Sequence, residues 1–415
     1  MVARDFEKAA RAYARSYRWT PDFRLHLLDN TVAHESGEGL RRIAFASADP
    51  IAAEWRRAIR EDDAPGGGAL AQESVLAVPG DFIEVNRALL ERGVTDGLPV
   101  IPPLLPLVER FAAAAGRPGA EVIARYMPRL ADITVERIAA NAVMAGCTPE
   151  MMPILVAIVR AMEEEDFKVH HVLTTAHTMS PLIVVNGPIA KEVGMSDGRD
   201  LTGMGWFPNA VLGRAVRLIL YNCAADLDTR GAYCQAHLGK VAEAITENVE
   251  QSPWEPLHVE RGFRESDSVV TILGIEPMQM VDDQSAVTAQ GILGTFGTAL
   301  ASSGNRPMFA RSSHMLLFCP AHAQKMAQGG FDKKLVRDFL YEVYRIPVHT
   351  FPPEARERWG PWKKKFFGVN TMENATIPVV EDKEDLLIAV HGGGGPNSIF
   401  APGLVNHSPV SRKIE

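Results

Sequence analysis

The chain has 415 residues, 46% of them hydrophobic and 23% charged, with a formal net charge of −8. That balance fills a large core and excludes a disordered or fibrous chain. The basic residues are spread thinly, the densest run being Lys363-Lys364-Lys365, which excludes the concentrated basic field of a nucleic-acid binder, and no apolar stretch reaches the roughly 18 residues of a spanning helix.

In chain order, Phe6, Ala9, Ala10, Tyr13 and Tyr17 fall at helical spacing, and a second amphipathic stretch runs from Ile51 to Ile59. This predicts a small helical N-terminal region, closed near residue 75 by the linker Asp62-Asp63-Ala64-Pro65-Gly66-Gly67-Gly68. Met1 to Trp19 carries no apolar leader core, and Cys147, Cys223, Cys234 and Cys319 form neither a disulfide framework nor a CxxC pattern. The expected compartment is the cytoplasm, with reduced thiols.

Residues 76–415 read as the main body. A helix is predicted near Phe82 to Arg92, followed by Thr95-Asp96-Gly97-Leu98-Pro99-Val100-Ile101-Pro102-Pro103, where three prolines remove amide donors and force an irregular, extended path. Helices from Thr134 to Met144 and from Pro149 to Met162 flank Ala145-Gly146-Cys147-Thr148. With Thr148 as N-cap and Pro149 at the first helical position, Cys147 falls just before a helix N-terminus, where the dipole favours a thiolate.

Beyond Thr178 short apolar runs alternate with helices. Leu182 to Val185 leads through Asn186-Gly187-Pro188 into a helix, and Met315 to Phe318 leads through Cys319-Pro320 into another. Further strands are predicted at Ser268 to Leu273 and Leu386 to Val390, with helices near Val287 to Ala301 and Lys333 to Tyr344 and a proline-rich surface excursion from Pro347 to Pro361. The expected fold is α/β, a mixed or mostly parallel sheet with packed helices. Two similar halves, 76–260 and 261–415, are an open alternative resting on the two strand-proline-helix units.

Four constellations carry candidate chemistry. Cys147 is a candidate nucleophile, weighed against the ordinary buried cysteine. His170, His171 and His177 offer acid, base or metal-ligand groups, although their spacing matches no metal motif. His237, Lys240, Glu247, Asn248, Trp254 and His258 place acids, bases and a cation around a tryptophan. The loop His391-Gly392-Gly393-Gly394-Gly395-Pro396-Asn397-Ser398 could aim amides at an anion, with His391, Gly393, Gly394, Asn397 and Ser398 as binding candidates. No GxGxxG fingerprint or P-loop accompanies it, so no nucleotide cofactor is expected.

Thr95 to Pro103, Ala140-Asn141-Ala142-Val143-Met144-Ala145-Gly146-Cys147, Val184-Val185-Asn186-Gly187-Pro188-Ile189, Glu247-Asn248 and Ser252-Pro253-Trp254-Glu255-Pro256-Leu257-His258 together resemble the long C-terminal region of the UGSC family of selenoproteins and their cysteine homologues. The resemblance covers about residue 80 to about residue 400. No U-G-S-C or C-G-S-C segment is present, and the first 75 residues are unlike that family's N-terminal redox domain. The resemblance implies a thiol-linked or redox setting, and it singles out Asp96, Asn141, Cys147, His177, Asn186, Asn209, Arg214, His237, Lys240, Glu247, Asn248 and Trp254.

The leading expectation is an enzyme on a small polar or anionic metabolite, with Cys147 as thiol, His177 or His237 as acid/base, and Arg214, Lys240 and the glycine loop holding the anion. A metal-dependent hydrolase or lyase using His170, His171, His177, His237 and Glu247 is a second expectation. A third is a subunit whose redox centre lies on a partner chain. A homo-oligomer is the base-rate expectation for an enzyme of this size.

Overall fold

The computed structural model describes residues 77–126, 130–175, 178–198, 206–224, 243–302, 311–363 and 375–415, with a few positions before residue 50. The predicted N-terminal helices and linker lie outside these residues, apart from a two-residue parallel pairing of Val2–Ala3 with Leu27–Leu28. Among the described residues no helix is long and apolar enough to cross a membrane.

Twelve helices are described: α1 Phe82–Glu91, α2 Leu105–Ala114, α3 Val135–Ala145, α4 Met152–Glu163, α5 Val169–Thr174, α6 Pro188–Glu192, α7 Phe207–Ile219, α8 Leu257–Glu260, α9 Ala289–Ala301, α10 Pro320–Gln328, α11 Lys333–Val343 and α12 Pro353–Lys363. Their starts follow local chemistry. Asp81 and Glu84 close a capping box on α1, and Thr134, Thr288 and Asp332 accept the N3 amides of α3, α9 and α11. The expected surface excursion holds α12, which Pro353 opens from the first helical position.

Eight strands build two large sheets: β1 Ser180–Asn186, β2 Glu243–Ile245, β3 Val269–Ile275, β4 Gln279–Asp282, β5 His314–Phe318, β6 Leu386–Val390, β7 Asn397–Ala401 and β8 Val410–Lys413. The first sheet runs β2-β1-β3-β8 and the second β6-β5-β7-β4. In each, the first pair is parallel and the next two are antiparallel. The α/β class is thus realised with mixed sheets of matching order and direction. The strands of the second sheet all lie within 261–415, whereas the first sheet draws β1 and β2 from before residue 260 and β3 and β8 from after it.

The alternation of side chains along each strand stacks four layers. Ile183 and Val185 of β1, with Val270 and Ile272 of β3, meet α3, α4 and α7 in one core. Leu316, Phe318, Ile388 and Phe400 meet α9, α10 and α11 in a second. Between the sheets, Leu182, Val184, Leu273 and Ile275 face Met315, Leu317, Leu387, Ala389 and Ala401. Burial on both faces explains why β1, β5 and β6 read as continuous apolar runs instead of alternating ones. Each such aliphatic side chain contributes on the order of 1.5–3 kcal/mol.

At one end the parallel pairs of both sheets meet. The Asn248 amide donates to the Val390 carbonyl at 2.9 Å, and His391 Nδ1 donates to the Thr246 carbonyl at 3.3 Å. The carboxyl ends of β1, β2, β5 and β6 therefore converge, which is where open α/β sheets place ligands.

β8 covers the backbone of β3 from Val269 to Ile272. Deleting residues 410–415 uncovers that ladder and is expected to cost at least about 3 kcal/mol, the range for loss of a buried network; an unchanged urea midpoint would show that β8 adds nothing to the first sheet.

Candidate functional site

β1 runs out at Asn186 and passes through Gly187, whose φ is +88° and whose missing Cβ leaves room for the Asp267 carbonyl. Any side chain there would collide with that backbone, so glycine is required. Beside it, β2 runs out into Thr246-Glu247-Asn248. The Glu247 carboxylate is buried, and its Oε2 accepts from Asn186 Nδ2 at 2.6 Å and from the Leu257 amide at 2.8 Å. Burial raises its pKa above the ordinary glutamate value, against the lowering effects of Lys333 and of these two hydrogen bonds.

Leu257 opens α8, and His258 follows it into the same wall. His258 Nε2 lies 3.4 Å from the Glu265 carbonyl, which only accepts, so the tautomer assigned from this contact puts the proton on Nε2. Nδ1 is then an acceptor, buried and without a hydrogen-bond partner among the described residues. Burial holds the imidazole below its ordinary pKa and keeps it neutral at pH 7. Asn186 is oriented by the same logic: its amide nitrogen faces Glu247, which leaves Oδ1 as a buried acceptor without a partner among the described residues.

Asn186, Glu247 and His258 line one cleft of about 340 Å³, with Pro188, Met195, Val249 and Pro256 as apolar walls and Lys191, Asp197, Glu250 and Glu265 as its charged groups. Asn209 fixes one side by accepting from the Ser196 amide at 3.0 Å and donating to the Ser196 carbonyl at 3.3 Å. Asn248 fixes another, donating to the Gly392 carbonyl at 2.9 Å and accepting from the Gln251 amide at 3.1 Å. Of the residues singled out in the sequence, the structure brings Asn186 and Glu247 into the cleft and sets Asn209 and Asn248 behind its walls.

The others have different roles. Cys147 follows the left-handed C-cap Gly146 of α3, and its amide donates to the Ala142 carbonyl; Thr148 then takes the N-cap position and Pro149 the first position of a short 3₁₀ turn, Pro149–Met151, that leads into α4, so Cys147 stands just before a helical start as expected. Its Sγ lies 3.4 Å from the Val211 carbonyl, and burial pushes its pKa to about 12. The position is the expected one, but burial there opposes the thiolate that a cysteine nucleophile needs. Arg214 clamps Asp96 through two hydrogen bonds, 2.8 and 3.0 Å, and donates to the Pro99 carbonyl, so this pair pins the proline stretch to α7 and does not hold an anion. Asn141 accepts from Asn222 at 2.7 Å inside the first core, and Trp254 donates to the Phe331 carbonyl at 3.0 Å against Phe318.

The glycine loop is a clasp between backbones at two of its positions. The Gly392 amide donates to the Asp197 carbonyl at 3.1 Å, and a Cβ on Gly393 would strike the Gly198 carbonyl. Gly394 faces open space and Asn397 is exposed at the start of β7. His391 is buried, and Ser398 accepts from the Cys319 amide at 2.9 Å.

His170 and His171 sit on α5, stacked beside His407 and away from the cleft. Among the described residues no three His, Cys, Asp or Glu side chains gather as metal ligands. His177, His237, Lys240 and Cys234 lie outside the described residues.

One residue of a candidate group was not told apart from its neighbours in the sequence, and one site was missed. His258 stood among several polar neighbours with nothing to mark it as the one facing a cleft. Cys319 caps α10 with His322 at its third position, and His322 Nδ1 and Ser398 Oγ lie 2.8 Å apart. Burial raises the Cys319 pKa, but hydrogen bonds from His322 and Ser398 outweigh it, and the thiol sits below its ordinary value. A cysteine followed by proline and, three residues on, by histidine is the signal that could have found it.

No family model matches the chain, and no curated protein shows significant similarity to it.

Burial holds His391 near a pKa of about 4 and His407 near about 3, against 6.5 for the unperturbed group. Both fold in the neutral form, so their penalty is absent above pH 6.5 and grows as pH falls toward 4, where His391 alone costs on the order of 3 kcal/mol. Urea midpoints should fall between pH 7.5 and pH 4.5, and His391→Gln should flatten the slope; equal slopes for variant and wild type would remove His391 as a source.

Proposed function

We propose that this chain is an enzyme that moves a proton on a small polar substrate bound in the cleft, with Glu247 as the general base. The observation that carries the reading is the Glu247 carboxylate at the carboxyl end of β2, buried, oriented by Asn186 and the Leu257 amide, and facing a cavity of substrate size. Burial makes it a stronger base than a solvated glutamate, which suits proton abstraction near neutral pH. Neutral His258 offers a second lone pair in the same wall. A base and an orienting acceptor beside one bound molecule fit isomerisation, in which Glu247 takes a proton from one atom of the substrate, the electron pair of that bond shifts the double bond, and Glu247 returns the proton to another atom.

A thiol-centred reading has one observation in its favour, and that observation moves it from Cys147 to Cys319, whose ionisation His322 and Ser398 support. Its thiol is 2% exposed and is not among the groups lining the cleft, which places this reading second.

Turnover of a pool of small polar metabolites, followed by mass spectrometry, separates the two readings. Glu247→Gln is expected to lower the rate by about 10²-fold or more, with Cys319→Ser near wild type; the reverse pattern would transfer the chemistry to the thiol. Because Glu247 and His258 both work deprotonated, the wild-type rate should fall on acidification, with its midpoint above the ordinary glutamate pKa. A rate that rises on acidification would assign Glu247 the opposite role.

A further inference from the structure

The polar atoms left without partners in the cleft walls are all of one kind. Asn186 Oδ1 and His258 Nδ1 are both acceptors, buried and unpartnered among the described residues, and Glu247 is a carboxylate. The charge has the same sense. Among the described residues, Asp197, Glu247, Glu250 and Glu265 line the cleft with Lys191 as the one cation, and Lys191 Nζ lies 2.6 Å from Glu250 Oε1. Behind the wall, Lys333 and Arg337 both pair with Glu260, at 3.0 and 2.5 Å, so two further cations share one carboxylate and stay out of the cleft lining.

An anion entering this space would bring lone pairs to lone pairs and negative charge to carboxylates. A buried acceptor without a donor costs about 1–3 kcal/mol, which a ligand carrying N–H groups recovers. We propose that the cleft selects a small organic cation, a primary ammonium or guanidinium group on a short apolar stem, with its N–H donors on Asn186 Oδ1, His258 Nδ1 and Glu247. A primary ammonium has three donors for these three acceptors, and the stem lies along Met195, Val249 and Pro256. The acceptor set takes the place of the anionic substrate expected from the sequence. The inference rests on the cleft being the substrate site and does not depend on which proton moves.

Calorimetric titration of the full chain with n-butylammonium, pentanamide and pentanoate, probes of matched length, tests it. n-Butylammonium is expected to bind at least tenfold more tightly than pentanoate, to weaken two- to threefold on raising salt from about 20 to about 500 mM as screening of partly exposed charges requires, and to weaken about tenfold in Asn186→Leu. Glu265→Gln, at an exposed rim position, leaves the core intact and should weaken the ammonium about twofold without changing pentanamide. Pentanoate binding as tightly as n-butylammonium, no ammonium binding, or ammonium binding unaffected by either variant would overturn the proposal. Tight pentanamide binding together with Glu247-dependent turnover of an uncharged substrate would overturn the cation and leave the proton-transfer reading standing. Ammonium binding as expected, with turnover indifferent to Glu247→Gln, would do the opposite.

Discussion

The apolar seam between the two sheets is the constraint on which the rest of the molecule depends. Leu182, Val184, Leu273 and Ile275 on one side and Met315, Leu317, Leu387 and Ala401 on the other have no second layer to bury them except each other. Once that seam forms, the outer faces must be covered by helices: the second sheet takes α9, α10 and α11 from the segments between its strands, while the first takes α7 from between β1 and β2 and α3 and α4 from the chain before β1. The seam also sets the relative position of β2 and β6, whose carboxyl ends meet through Asn248, Thr246, Val390 and His391. The cleft is the space left where that junction opens toward α6 and α8.

The chemistry of the cleft comes from what the fold withholds from a few polar groups. Asn186 and Glu247 lie at strand ends where backbone pairing stops, so they satisfy each other in part and remain unsatisfied in part. Desolvation strengthens every electrostatic term inside such a space. Groups that bind ligands are thereby separated from groups of similar type that only build structure: Arg214 with Asp96, Lys333 and Arg337 with Glu260, and Arg311 with Asp385 are all ion pairs closed on themselves. A closed pair has little left to offer a substrate.

Much of the fold was legible because strands buried on both faces leave unbroken apolar runs and because Asp81, Thr134 and Asp332 mark helix starts by ordinary capping. β2 and β8 were not legible: each is short, and β2 contains Glu243, which no alternation pattern identifies as a strand residue. Asn186 was singled out by the resemblance, and Glu247 by the acids and bases gathered around Trp254 as well as by the resemblance. Cys147 and the glycine loop share one ambiguity. A residue before a helix, or a run of glycines, has a local pattern that is the same whether the backbone closes on protein or on ligand, and here it closes on Ala142, Asp197 and Gly198. His258 was undecidable from sequence because only the tertiary position of α8 brings it into the cleft wall.

The way β8 completes the first sheet has a consequence during synthesis. On the ribosome, β1, β2 and β3 emerge with one flank of β3 bare, while all four strands of the second sheet are made before residues 410–413 arrive to cover it. For that interval the nascent chain holds an unsealed ladder of apolar residues, Val269 to Ile275, the kind of segment that recruits foreign strands. The first sheet is begun early and sealed late, so its integrity waits on residues 410–413, and a chain cut short between residues 275 and 410 would carry an adhesive edge.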